Sequence, residues 1–179
     1  GSGKTLLAAA LATRTETPFL VIRAPRLALQ ILHAGGKIGD LLQAWQETLA
    51  EIKRITVYFD ELDFAHDPSL GAPRPDLPAS QLGDFLLELI DVTIGVTETL
   101  MLGSTSRPDT LSPIYFGPGR FERIVSVNPI VPGDVIAAMA IHSTAAEKRA
   151  GRKLFEGIDW TRVIEQNRES SIGNWVRLV

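Results

Sequence analysis

Two short stretches of this sequence carry the residue types needed to hold phosphate and a divalent cation: GSGKT at residues 1–5 and FDELD at residues 59–63. GSGKT matches the last five positions of the pattern G-x-x-x-x-G-K-[ST], in which backbone N–H groups at a helix N-terminus cradle phosphates. In that chemistry Gly1, Ser2, Gly3 and Lys4 surround the phosphates, Lys4 reaches the β- and γ-phosphates, and the Thr5 hydroxyl ligates Mg²⁺. By itself the pentapeptide is also what a glycine–serine cloning remnant leaves behind. The second stretch ends an apolar run, ITVYFDELD, on adjacent acids that can divide their labour. Asp60 would hold the Mg²⁺ shell, and Glu61 would orient and deprotonate an attacking water. A solvated acidic strand end has the same composition. The gap of about fifty residues leaves room for a helix, a strand and another helix, which is how a sheet sets two such loops side by side.

Two further stretches hold chemistry-bearing groups. MLGSTSRPDTLSP reads as a strand running into small polar residues, where a hydroxyl or amide at the strand tip would bond a γ-phosphate or the water held by Glu61; a plain β-turn also suits Ser-Arg-Pro-Asp. GPGRFER offers Arg120 and Arg123, for transition-state charge on a neighbouring subunit's nucleotide or for a surface ion pair.

The elements that must position these groups alternate. TLLAAALAT is rich in helix formers and abuts the glycines; FLVIR is a short buried strand; KIGDLLQAWQETLAEI repeats apolar residues at helical spacing. RITVYFDELD is a strand candidate, AHDPSLGAPRPDLPAS a loop with four prolines, QLGDFLLELIDV a helix, TLMLGSTS a strand and IVSV a last short strand. Strands alternating with helices predict a mostly parallel, helix-flanked sheet. Pro129 and Pro132 punctuate the chain, and everything after them has helical character. The boundary is accordingly set between a nucleotide-binding αβ core, 1–129, and a partial helical lid, 130–179. His66 lies in the proline-rich loop and reads as a solvated residue.

Composition narrows the class. With 179 residues, 45% hydrophobic and 22% charged, the chain is an ordinary globular protein with room for one αβ domain and part of a smaller one. A net charge of −3 offers no basic field for nucleic acid, so none is indicated. The absence of cysteine excludes a disulfide framework and thiolate metal sites. No apolar run is long enough for a membrane segment in this chain, and the default location is cytoplasmic.

Taken together, the motifs resemble the AAA ATPases, in the branch of the membrane-bound zinc proteases and the hexameric protein-unfolding ATPases. GSGKT resembles the family's Walker A, VYFDELD its Walker B, LLELID its LLxEMD helix, GSTSRPDTLSP the sensor stretch GATNRPDxLDP, and GPGRFER the motif RPGRFDR. AIHS and SSIGNW resemble lid segments beside the nucleotide, which makes His142, Gly173 and Asn174 nucleotide-contact candidates. The resemblance implies a P-loop NTPase three-layer αβα fold followed by the start of a small helical lid. It also implies ATP and Mg²⁺ as cofactors, a homo-oligomeric hexameric ring and a protein substrate. Catalysis would rest on Glu61, Ser106 and Arg120, and metal binding on Thr5 and Asp60. The sequence departs from the pattern at Ser106, where the family carries asparagine, at Gly117, where many members carry a first arginine finger, and at Leu32 and His33, where the pore segment carries an aromatic. Those departures motivate the alternative of a degenerate module that binds nucleotide and supports assembly with little hydrolysis. A small-molecule P-loop kinase fits GSTSRPD badly. No H-E-x-x-H protease motif occurs. A chain beginning inside the loop also implies a sheet without its first central strand and, for the isolated piece, weak ATP binding or none.

Overall fold

The run of alanine and leucine after the glycines forms a helix, α1 (Lys4–Arg14), whose small side chains Ala8 and Ala12 are buried one turn apart. The structure, a computed structural model, describes residues 2–33, 38–66, 79–96, 98–166 and 170–177. The β-branched and aromatic runs become three strands, β1 (Phe19–Arg23), β2 (Ile55–Asp60) and β3 (Thr99–Gly103). They form one parallel sheet in the order β1-β2-β3, with Phe19 opposite Thr56 and Phe59 opposite Gly103. Parallel neighbours need crossovers, supplied by α2 (Ala24–His33) and α3 (Ile38–Glu51) and then by α4 (Ala79–Ile94).

Both crossovers pack on one sheet face. Ile55, Val57 and Phe59 bury there against Leu49 of α3 and Phe85, Leu86, Leu89 and Ile90 of α4. Each such side chain contributes about 1.5–3 kcal/mol on leaving water. The Trp45 indole N–H donates to Thr93 Oγ1 at 3.0 Å, which ties α3 to α4 without leaving a buried donor unmet. The opposite face of β2 turns toward α1, giving helix, sheet and helix in three layers.

The expected strands at FLVIR and after Arg54 fall where the sequence places them, and the expected helices at 5–13, 37–52 and 81–92 match α1, α3 and α4 to within a few residues. The proline-rich loop lies mostly outside the described residues. Two features differ. Helix α2 had no counterpart in the sequence reading, although Pro25 in its first turn suits a helix start. IVSV, expected as a last strand, has no regular structure, and Ile124 and Val125 are 73% and 75% exposed. A strand exists only where a neighbour accepts its backbone hydrogen bonds, and no described strand pairs with this segment.

The chain divides into two compact units, residues 5–124 and residues 125–179 together with 1–4. The second is helical: α5 (Gly133–Ala150), α6 (Trp160–Glu165) and α7 (Ile172–Val176). Val135, Met139, Ile164 and Trp175 form its core. Helix α5 stops at Gly151, whose left-handed conformation ends the helix, and Asp159 and Ser171 cap the starts of α6 and α7. Among the described residues no helix is long and apolar enough to cross a membrane.

Gly103 closes β3 where the chain turns toward the site. A Cβ built there would lie 2.7 Å from Leu62 Cδ1 and 2.9 Å from the Phe121 ring. Gly103→Ala is therefore expected to lower unfolding free energy by about 1–3 kcal/mol, the usual cost of overpacking, in a denaturant titration.

Candidate functional site

Strand β2 alternates cleanly. Its odd-numbered residues are apolar, whereas Thr56, Tyr58 and Asp60 share the other face and carry hydroxyl and carboxylate groups. The α1 side answers each in turn. Thr17 Oγ1 and Thr56 Oγ1 lie 2.6 Å apart, Thr5 Oγ1 and the Tyr58 hydroxyl 3.3 Å apart, and Thr5 Oγ1 reaches Asp60 Oδ2 at 3.5 Å. Thr5 and Asp60, the two expected metal ligands, are thus brought together from opposite ends of a 55-residue separation.

Asp60 is held firmly on its other oxygen. The Ser104 hydroxyl donates to Oδ1 at 2.6 Å and the Tyr58 hydroxyl donates to the same atom at 3.1 Å. Burial pushes the Tyr58 phenol up; hydrogen bonding with Ser104 and Thr5 pulls it down, and the Asp60 charge raises it again, leaving it above its ordinary value. Tyr58 therefore stays protonated and remains a donor. Sequence reasoning missed both Tyr58 and Ser104. The signals were the even-numbered spacing of Tyr58 and Asp60, and a serine where the pattern GATNRPDxLDP has alanine.

The expected phosphate loop is described from Ser2 onward, and Gly1 lies outside the described residues. Gly3 has φ of +88°, a left-handed conformation natural to glycine, directly before the first residue of α1. The Lys4 ammonium donates to Ser2 Oγ at 3.2 Å. Glu61 follows β2, exposed and with φ of +60°, an uncommon conformation for a residue with a side chain. The turn is held by Leu62 N–H donating to the Ser104 carbonyl at 3.0 Å and Phe64 N–H donating to the Glu61 carbonyl at 2.9 Å. Strain of this kind clusters at functional sites and costs on the order of 1–3 kcal/mol.

Ser106 and Arg120 are engaged elsewhere. The Ser106 hydroxyl donates to Asp63 Oδ2 at 3.4 Å, and Arg107 Nε donates to the same oxygen at 3.0 Å. Arg120 makes a bidentate pair with Asp91 of α4, both bonds 2.7 Å, and donates a third bond to the Ile114 carbonyl at 2.8 Å. The Asp91 carboxylate raises the Arg120 guanidinium still further above its ordinary value. His142 is exposed on α5, while Gly173 and Asn174 occupy the first turn of α7, where Asn174 N–H donates to Ser171 Oγ at 3.3 Å. Leu32 lies on α2 and His33 ends it.

The donor set suits a small hard cation, since a hydroxyl and a carboxylate are both oxygen ligands. No group of three or more histidine, cysteine, aspartate and glutamate residues able to hold a metal occurs among the described residues. The Thr5 hydroxyl and Asp60 carboxylate fit Mg²⁺, which takes one or two carboxylates and completes its shell with phosphate and water.

A parallel sheet covered on both faces, a left-handed glycine opening a helix, and a hydroxyl set against a strand-end acid define a P-loop NTPase fold. Residues 1–129 match the family described as ATPase family associated with various cellular activities (AAA), and the chain belongs to it. It is 29% identical over 130 residues to Protein CdcH of Halobacterium salinarum, covering 71% of this chain and 17% of that protein. It is 33% identical over 132 residues to Peroxisomal ATPase PEX6 of Homo sapiens, covering 71% of this chain and 13% of the relative. Against the proteasome-activating nucleotidase of Methanocella arvoryzae the identity is 32% over 134 residues, covering 71% of this chain and 30% of the relative. The chain thus spans under a third of the length of each.

Asp63 is 4% exposed. Burial drives its carboxyl up, but hydrogen bonds from Arg107 and Thr105 outweigh that and hold it below the usual carboxylate range. Removing the guanidinium leaves a buried carboxylate short of a donor, so Arg107→Ala is expected to destabilise the fold by about 1–3 kcal/mol at neutral pH. Because the folded carboxyl is the more acidic, its contribution is complete at neutral pH and fades as pH falls below about 4. Denaturant midpoints across that range should converge for the two proteins in acid.

Proposed function

We propose that this chain binds ATP with Mg²⁺ and hydrolyses it as part of a ring-forming AAA ATPase that remodels or unfolds protein substrates. The observation that carries the reading is the approach of Thr5 Oγ1 to Asp60 Oδ2 at 3.5 Å. Residues 1–129 serve as the nucleotide-binding core and 130–179 as the start of a lid. The loop N–H groups of Gly1, Ser2 and Gly3 and the Lys4 ammonium hold the phosphates, and Thr5 and Asp60 hold Mg²⁺, which supplies charge stabilisation when bound. Glu61 takes a proton from the water that attacks the γ-phosphorus, and the leaving oxygen departs with ADP. Ser106 reports on the γ-phosphate, Arg120 acts across a subunit boundary, and His142, Gly173 and Asn174 contact the nucleotide.

Protein remodelling and ring formation rest on kinship alone, through relatives that include a peroxisomal ATPase and a proteasome-activating nucleotidase. A second reading, a module that binds nucleotide and supports assembly with little hydrolysis, draws on one specific observation. Arg120 is bound by Asp91 and Ser106 by Asp63, so both would have to leave partners in their own chain to act on a nucleotide.

Glu61→Gln in the intact, assembled protein separates the readings. The proposal expects ATP turnover to fall by about 10²-fold or more with nucleotide binding retained. Unchanged turnover would rule out Glu61 as the base, and negligible turnover in the unmodified assembly would establish the second reading.

A further inference from the structure

The Asp60 carboxylate has two oxygens with different surroundings. Oδ1 receives two donors, Ser104 Oγ at 2.6 Å and the Tyr58 hydroxyl at 3.1 Å, and Oδ2 faces Thr5 Oγ1 at 3.5 Å. Both donors are fixed in place: Tyr58 is 2% and Ser104 7% exposed. The Tyr58 ring is stacked with Phe19 at a centroid distance of 6.0 Å, which fixes the hydroxyl's height above the sheet. Ser104 is pinned through its backbone, its N–H donating to the Phe59 carbonyl at 2.9 Å and its own carbonyl accepting from Leu62. A carboxylate with one oxygen doubly bound in this way cannot rotate about its Cβ–Cγ bond without breaking charge-assisted hydrogen bonds.

Proton bookkeeping adds a second constraint. A hydroxyl that gives a lone pair to a cation must send its own proton elsewhere. Tyr58 has one proton, which goes to Asp60 Oδ1, so its oxygen is left as an acceptor 3.3 Å from Thr5 Oγ1. The Thr5 hydroxyl, which donates to Asp60 Oδ2 at 3.5 Å, can instead donate to Tyr58 while Tyr58 donates to Asp60, and this leaves the Thr5 oxygen and Asp60 Oδ2 with lone pairs for a cation.

We infer that Tyr58 and Ser104 are positioning residues for the divalent cation: together they saturate Asp60 Oδ1 and present Oδ2, while Tyr58 also accepts a hydrogen bond from the Thr5 hydroxyl. The inference rests on the Mg²⁺-nucleotide reading above and deepens it by naming the residues that orient its two ligands. Tyr58 acts on both ligands and Ser104 on only one, which ranks their effects.

The test uses the intact protein and Mn²⁺, whose binding in the presence of a non-hydrolysable ATP analogue is read by electron paramagnetic resonance. Tyr58→Phe keeps the ring and its stacking, and Ser104→Ala removes only a hydroxyl. Loss of an oriented partner behind a metal ligand typically weakens metal affinity by about tenfold or more, so Tyr58→Phe is expected to weaken Mn²⁺ binding by at least that factor. Ser104→Ala should weaken it by a smaller factor, and metal-free analogue binding should stay the same in both. Unchanged Mn²⁺ affinity in both variants, with analogue binding intact, would overturn the inference and leave the site reading standing. Failure of the unsubstituted protein to bind Mn²⁺ with the analogue at all would overturn the site reading and the inference with it. Should Tyr58→Phe not fold, Ser104→Ala alone decides, with unchanged affinity counting against the inference.

Discussion

Along β2 the side chains of Ile55, Val57 and Phe59 point to one face and those of Thr56, Tyr58 and Asp60 to the other, and a slip of one residue would exchange the two sets. The apolar set locks the register, because moving Phe59 or Val57 out of the α3–α4 core would forfeit about 1.5–3 kcal/mol for each side chain. The polar set inherits its placement from that lock. Thr56 meets Thr17, Tyr58 meets Thr5, and Asp60 arrives at the strand's C-terminal end opposite the start of α1. Ligands of open α/β sheets collect at that end. The hydrophobic face therefore sets the geometry of the chemical face.

Each acid near the strand end has a distinct environment. Asp60 is bound on one oxygen and available on the other; Asp63 is buried and held by Arg107; Glu61, between them, is exposed and in a left-handed conformation. The fold thus fixes two carboxylates and leaves the third free to meet solvent. That division suits a site in which one acid serves a cation, one serves the structure, and one handles a water. Asp91 and Arg120 form a further fixed pair, which joins α4 to the segment after the turn at Pro113–Phe116.

Much of the framework was legible because its signals are local. The β-branched run FLVIR, the apolar run ending at Asp60 and the alanine-rich stretch after the glycines read directly as β1, β2 and α1. The proximity of Thr5 and Asp60 was readable from the spacing that lets a parallel sheet align two loops. What escaped depended on contacts distant in sequence. IVSV has strand composition but no neighbour among the described strands, and composition alone cannot supply one. Arg120 finds Asp91 from 29 residues away, and Ser104 finds Asp60 from 44. Tyr58 was hidden for a different reason: in an apolar run a tyrosine reads as core, and only the alternation of β2 puts its hydroxyl on the side of the acid.

The central claim is that Thr5 and Asp60 form the protein side of a cation site shared with nucleotide. Calorimetric titration of ATP into the intact protein, with and without Mg²⁺, tests it when repeated on Asp60→Asn. The account predicts that Mg²⁺ strengthens binding to the unsubstituted protein and that the substitution removes most of that gain, about tenfold or more, while leaving Mg²⁺-free binding in place. An identical Mg²⁺ dependence in the two proteins would contradict it.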